Sequence, residues 1–235
     1  MVSPPDIPSG ITTNRHLPTV GDPGIPNVSR RDREVDPTRD FLLDISAGGG
    51  MVVDLAQLPG MSTYSVEMWV NFARDVDQTI VASRDFKLEL RSQRLRVEIG
   101  KYEIRGRAVR PNAWYHVAVV VEGQRARLYI NGSLVTRASL PAVTDDAIGA
   151  AFVVAPAPRG REYAFAGRID NLRVISTALT QQNSFVANGT LSKADGVVFA
   201  FSFDGGEAPG ERVTPSSGSY SGRLVPGALV VPGAP

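Results

Sequence analysis

From residue 40 onward, apolar and polar positions alternate in short runs with a period of two. Clusters of glycine, proline, asparagine and aspartate separate the runs. This spacing predicts strands rather than helices, because successive side chains of a strand point to opposite faces. In the run 64–72, Tyr64, Val66, Met68, Val70 and Phe72 share one face, while Trp69 falls on the other and packs against a loop or the N-terminal segment. Phe86, Leu88 and Leu90 alternate with Lys87, Glu89 and Arg91, and the runs 95–99 and 102–105 repeat the pattern. The reading is an antiparallel meander with one buried and one wet face, which puts Glu67, Glu89, Glu98 and Glu103 on solvent faces.

The run 114–121 (Trp-Tyr-His-Val-Ala-Val-Val-Val) is almost continuously apolar, so both its faces are expected to be covered. Gly123 supplies a turn, and 125–130 alternates again, with Ala126, Leu128 and Ile130 toward the core and Arg125, Arg127 and Tyr129 opposite. Asn131-Gly132 is the dipeptide best suited to a type I′ turn, where both central residues take positive φ. Further strands are expected at 41–45, 51–55, 78–82, 150–154, 163–175 and 197–204, the last with Val197, Phe199, Phe201 and Phe203 inward. The runs 223–225 and 228–231 read as edge strands, and 180–186 as one short helical turn.

Trp-Tyr-His-Val-Ala at 114–118, followed by Leu-Tyr-Ile-Asn-Gly at 128–132, resembles the central hairpin of laminin-G-like domains of the concanavalin A-like lectin and glucanase group. Residues 64–70 and 165–174 resemble an early and a late strand of that family, in the same order. The positions carrying the resemblance are Trp69, Trp114, His116, Tyr129, Asn131, Gly132, Gly167 and Asp170. It implies an all-β fold: a two-sheet antiparallel jelly-roll sandwich over residues 40–235. It also implies structural roles, with Trp114 a buried packing anchor and Asp170 a strand-end carboxylate holding backbone N–H groups or Arg168. It implies little about activity, because this fold hosts many functions.

Residues 1–39 break the pattern. Prolines at 4, 5, 8, 18, 23, 26 and 37 oppose helix and strand pairing, and the apolar residues are sparse. Such a segment is expected to be an extended arm that orders only by docking, with Ile7, Ile11, Leu17, Val20 and Ile25 as spaced anchors. The N-terminus shows neither the basic nor the apolar stretch of a signal peptide, and no apolar run approaches the ~20 residues of a membrane span. A net charge of +1 gives no pull toward nucleic acid or anionic membrane. The chain has no cysteine, which favours folding in a reducing compartment.

Candidate chemistry is thin. Relatives that cleave β-glucans carry a Glu-x-Asp-x-(x)-Glu strand, and no such run occurs here, so no glycosidic hydrolysis is expected. His16 and His116 are too few and too far apart for a metal cluster, and His116 is expected to be buried with its hydrogen bond satisfied. No cofactor is expected; calcium is the one ion left open, with Asp75 and Asp77 or Asp145 and Asp146 supplying oxygen ligands from loops. Sugar stacking would use exposed aromatics, for which Tyr102, Trp114, Tyr129, Tyr163 and Tyr220 are candidates. The expectation for function is a non-enzymatic virion component, in a tail or on a capsid surface. It would be anchored to other virion proteins through the arm, homo-oligomeric within the assembly, and able to bind host glycan. The alternative is a carbohydrate-binding module of a cell-surface protein.

Overall fold

The computed structural model of the chain describes residues 41–56, 58, 60–141, 147–158, 160, 162–179, 195–204 and 212–233. The arm 1–39 with its anchors, the turn expected at 180–186, and Asp145 and Asp146 lie outside the described residues. Within them there are strands and no helix. In chain order the strands are β1 (Phe41–Asp44), β2 (Gly50–Asp54), β3 (Thr63–Phe72), β4 (Gln78–Ala82), β5 (Phe86–Arg91), β6 (Arg94–Ile99), β7 (Tyr102–Ala108), β8 (Trp114–Glu122) and β9 (Arg125–Ile130). They continue with β10 (Ser133–Ser139), β11 (Ala151–Val154), β12 (Gly167–Ile175), β13 (Val197–Phe201), β14 (Arg212–Val213), β15 (Ser217–Gly218), β16 (Gly222–Val225) and β17 (Leu229–Pro232).

Two antiparallel sheets face each other. The first runs β10-β9-β8-β3-β12-β1-β17, with β13 also paired to β12 and carrying β15. The second runs β14-β16-β2-β11-β4-β5-β6-β7. The two longest-paired strands, β3 and β8, lie at the centre of the first sheet in unbroken register from Thr63 opposite Glu122 to Asn71 opposite Trp114. This is why the near-continuous apolar run of β8 has both faces covered. The core forms where the alternating faces meet. Tyr64, Val66, Met68, Val70 and Phe72 are all in it, as are Ala126, Leu128 and Ile130. Phe152 meets Phe199 at 5.4 Å and Phe72 meets Phe165 edge-on at 6.2 Å. Each such buried side chain contributes ~1.5–3 kcal/mol by leaving water.

The turns follow their residues. Asn131 (φ 51°) and Gly132 (φ 75°) both take positive φ, as a type I′ turn requires. At the start of β12 a side chain on Gly167 would meet the Asn71 carbonyl oxygen at 2.1 Å, so only glycine lets β12 pair closely with β3 there.

Several expectations need correction. Val197 does not face the core with Phe199: a register shift beside Val174 pairs Ile175 with Val197 and Val174 with Phe199, turning Val197 to the outer face. Of the expected strand 163–175, only β12 is a strand, and Tyr163 makes a single bridge to Gln78. The run 223–225 is not an edge, since β16 lies between β14 and β2. Asp170 is not at a strand end but inside β12, buried beside a second register shift, and Arg168 pairs with Asp44 at 3.1 Å.

Candidate functional site

Alternation in β5, β6 and β7 sends Phe86, Leu88, Leu90, Leu95, Val97, Ile99 and Ile104 inward and a set of charged side chains outward. On that outer face Lys87 Nζ lies 2.5 Å from Glu89 and 3.2 Å from Glu162, and Arg91 reaches Glu162 at 2.7 Å and Glu89 at 3.4 Å. Arg96 bonds Glu89, Glu98 and Glu103, and Arg105 bonds Glu103. Opposite charges face each other between β5 and β6 at Lys87–Glu98 and Glu89–Arg96, and Arg96 reaches diagonally to Glu103 of β7. Glu89 is not a solvent-face residue: its side chain is 0% exposed, enclosed by the three cations around it.

Glu162 comes from the loop after β11, which folds over this face. Its carboxylate accepts from Thr79 Oγ1 at 3.0 Å as well as from Lys87 and Arg91. Burial raises its pKa, but these three donors outweigh that and hold it below the usual carboxylate range. Arg105 and Arg96 do the same to Glu103. Burial disfavours the charged Lys87 and Arg91, yet Glu89 and Glu162 hold both above their usual values. Beside the lattice opens a cleft of about 720 Å³, lined among others by Thr79, Arg84, Asp85, Lys87, Glu98 and Glu162. Tyr163, the residue after Glu162, is 57% exposed, the most open large apolar side chain among the described residues. Its backbone is fixed: Tyr163 N–H donates to the Asp77 carbonyl at 2.9 Å.

The outer face of the first sheet carries a second polar group, and it is sealed. Glu67 on β3 accepts from His116 Nε2 at 2.9 Å and from Arg173 of β12, and all three side chains are at most 1% exposed. Burial opposes the charge on Glu67, but the bonds from His116 and Arg173 hold its pKa below the ordinary value. Apolar clusters flank the triad. One joins Ala118, Val120, Tyr129, Ile175 and Leu179, and another joins Trp69 and Ala200 with Trp114 and Val197. The chain beyond β12 is tied down here, with Ser65 Oγ donating to the Thr177 carbonyl at 2.9 Å and accepting from Leu179 N–H at 2.8 Å.

The family model Laminin_G_3, of the concanavalin A-like lectin/glucanases superfamily, matches residues 46–183. The chain belongs to this superfamily. Among solved structures, a Bacteroides ovatus protein provisionally described as carbohydrate binding superposes with a TM-score of 0.69 at 19% identity, covering 82% of this chain and 60% of that one. The ligand-binding domain of botulinum neurotoxin serotype D, solved with N-acetylneuraminic acid, gives 0.52 at 16% identity, covering 64% and 42%. The receptor-binding domain of botulinum neurotoxin D gives 0.51 at 17%, covering 64% and 44%. The chain therefore spans less than two thirds of each, and at these identities the likeness is one of fold. No curated protein sequence matches the chain.

Of the residues that carried the resemblance, all but Trp114 and Asn131 are buried. His116 is buried and bonded as expected, and the Asn131 side-chain oxygen accepts from the His116 backbone N–H at 2.9 Å. Trp69 packs on Ala200, with its ring 5.3 Å from that of His116. Trp114 is only half-buried, on the edge of the same cluster, so it is a weaker anchor than expected. Of the stacking candidates, Tyr129 is buried; Tyr102 and Tyr220 are partly buried against the core; Tyr163 alone stands open. For calcium, Asp77 accepts from Ser92 N–H at 2.7 Å and pairs with Arg91, and Asp75 lies 3.4 Å from Gln93 Nε2. No group of three metal-ligating side chains occurs among the described residues. The sequence reading missed Arg173 and Glu162. Their partners lie 106 and as many as 83 positions away, beyond any local pattern.

Proposed function

We propose that this chain is a non-enzymatic carbohydrate-binding module whose site is the outer face of the second sheet: the cleft beside Lys87, Glu98 and Glu162, with the exposed Tyr163 following Glu162 in the chain. The observation that carries the reading is the pairing of an open aromatic ring with a fixed field of hydrogen-bonding groups. Sugars are recognised by this combination, the ring stacking on C–H faces and the polar groups ordering the hydroxyls. The kinship to lectin-like structures supports it.

Hydrolysis fits the same face poorly. Glu89 and Glu162 are neighbours, each touching Lys87 and Arg91. A glycosidase needs one carboxyl kept protonated and a second open to the sugar. Glu162 is held ionised, and Glu89 is closed off from any substrate. The setting we propose is the surface of a virion, in its tail or capsid, or alternatively a cell surface, with the proline-rich segment 1–39 as anchor to neighbouring subunits. The experiment is a glycan array with intact chain and with Tyr163→Ala. Binding lost in the variant, without reducing-sugar release by either protein, is the expected result. Turnover abolished by Glu162→Gln would replace the lectin by an enzyme.

A further inference from the structure

The charge balance of this face selects among glycans. We infer that the site takes a neutral oligosaccharide and disfavours sialylated, uronate-bearing or sulfated ones; this rests on the glycan-binding reading above. The described lining of the cleft holds three carboxylates, Asp85, Glu98 and Glu162, against two cations, Arg84 and Lys87, leaving one negative charge in excess.

Lys87 and three cations beside it in the lattice are already engaged. Lys87 lies within 3.9 Å of three carboxylates, Arg91 touches three, Arg96 touches three, and Arg105 is bonded to Glu103. An anionic sugar that engaged Lys87 would take it from these pairs, leaving a carboxylate of the lattice short of a partner at a partly closed surface. The sugar would do this against the excess negative charge. A neutral sugar needs no exchange. Its hydroxyls donate to carboxylate lone pairs that the cations leave unfilled, and a carboxylate offers about four acceptor sites. Hydroxyl-to-carboxylate bonds are stronger than neutral ones, so the carboxylate-rich lattice is a donor-reading surface. Tyr163 completes it with an apolar face suited to the C–H groups of an uncharged ring.

The test is an array carrying neutral gluco-, manno-, galacto- and arabino-oligosaccharides beside sialylated, uronate and sulfated ones, probed with the full chain at low and high salt. Calorimetry would follow on the strongest hit with wild type, Glu162→Gln and Tyr163→Ala. The expected result is neutral hits whose affinity is nearly independent of salt, since no ion pair forms across the interface, and a loss of about tenfold or more in each variant. Should Glu162→Gln fail to fold, Tyr163→Ala at an exposed position keeps the test intact. Preferential binding of acidic glycans, weakened by salt and by Arg84→Ala on the cleft wall, would overturn the inference and leave the lectin reading standing. Neutral binding that survives both site variants would also overturn it, placing recognition elsewhere. An array without hits on either arm would remove the lectin reading itself.

Discussion

The outer faces of the two sheets use the same side-chain chemistry to opposite ends. On the first sheet, Glu67, His116 and Arg173 form a compact ionic group sealed among Trp69, Ala200, Tyr129 and Leu179. On the second, a larger set of acids and bases spreads across β5, β6 and β7 and borders an open cleft. The first group has no route to a ligand, so its role is to hold three strands and the chain after β12 in place. The second has access, and its charges are held rigidly by one another. Burial, rather than residue type, separates scaffold from site in this molecule.

Four measurements would break or sharpen that contrast. The largest effect is expected from Glu67→Ala. It strands Arg173 and the hydrogen-bonded ring of His116 in a sealed environment, and breaking such a buried pair costs ~3–5 kcal/mol. The denaturant midpoint should fall accordingly, and any unchanged midpoint would dissolve the distinction between the faces. Next, Trp69→Ala should cost ~3–5 kcal/mol, and Trp114→Ala clearly less, because Trp114 is half-buried; equal losses would mean the cluster is deeper than described.

The third concerns pH. The folded Glu67 titrates below its usual value of 4.5. Its contribution is therefore complete above about that pH and is lost as the pH falls through the lower folded value. Melting temperature should decline below that point in wild type and decline less in Glu67→Gln, as followed by circular dichroism. The smallest effect on stability belongs to Glu162→Gln, about 1 kcal/mol or less for one member of a surface ion network, combined with loss of glycan binding. A large loss of stability there would make the second face scaffold too.

Much of the architecture was readable from alternation alone. The inward set of β3, the core side of β9 and the type I′ turn at Asn131-Gly132 are local patterns, and local sterics decide them. What failed was whatever a register shift or a distant segment controls. Val197 reads as inward by simple alternation, and one bulge beside Val174 reverses it. Glu67 and Glu89 read as wet because period-two logic assigns every non-core face to solvent. In the fold, packed clusters close over one and three cations close over the other. Tyr163 was one of five candidates for an exposed aromatic and nothing local singled it out, because its backbone and the Glu162 side chain are held by Asp77, Gln78 and Thr79, distant in sequence.

That placement has a kinetic consequence. Gln78 donates to the Arg74 carbonyl at 2.7 Å and accepts from Ala166 N–H at 3.1 Å, while the Tyr163 amide is bonded to Asp77. The ring open to water thus sits on a peptide that is not. A ligand arriving at Tyr163 would meet a backbone already bonded at that residue, so association should run without a slow rearrangement there and without the entropy toll that ordering exacts. The signature would be an amide proton at Tyr163 that exchanges slowly with solvent, directly beside the most solvent-exposed aromatic ring described.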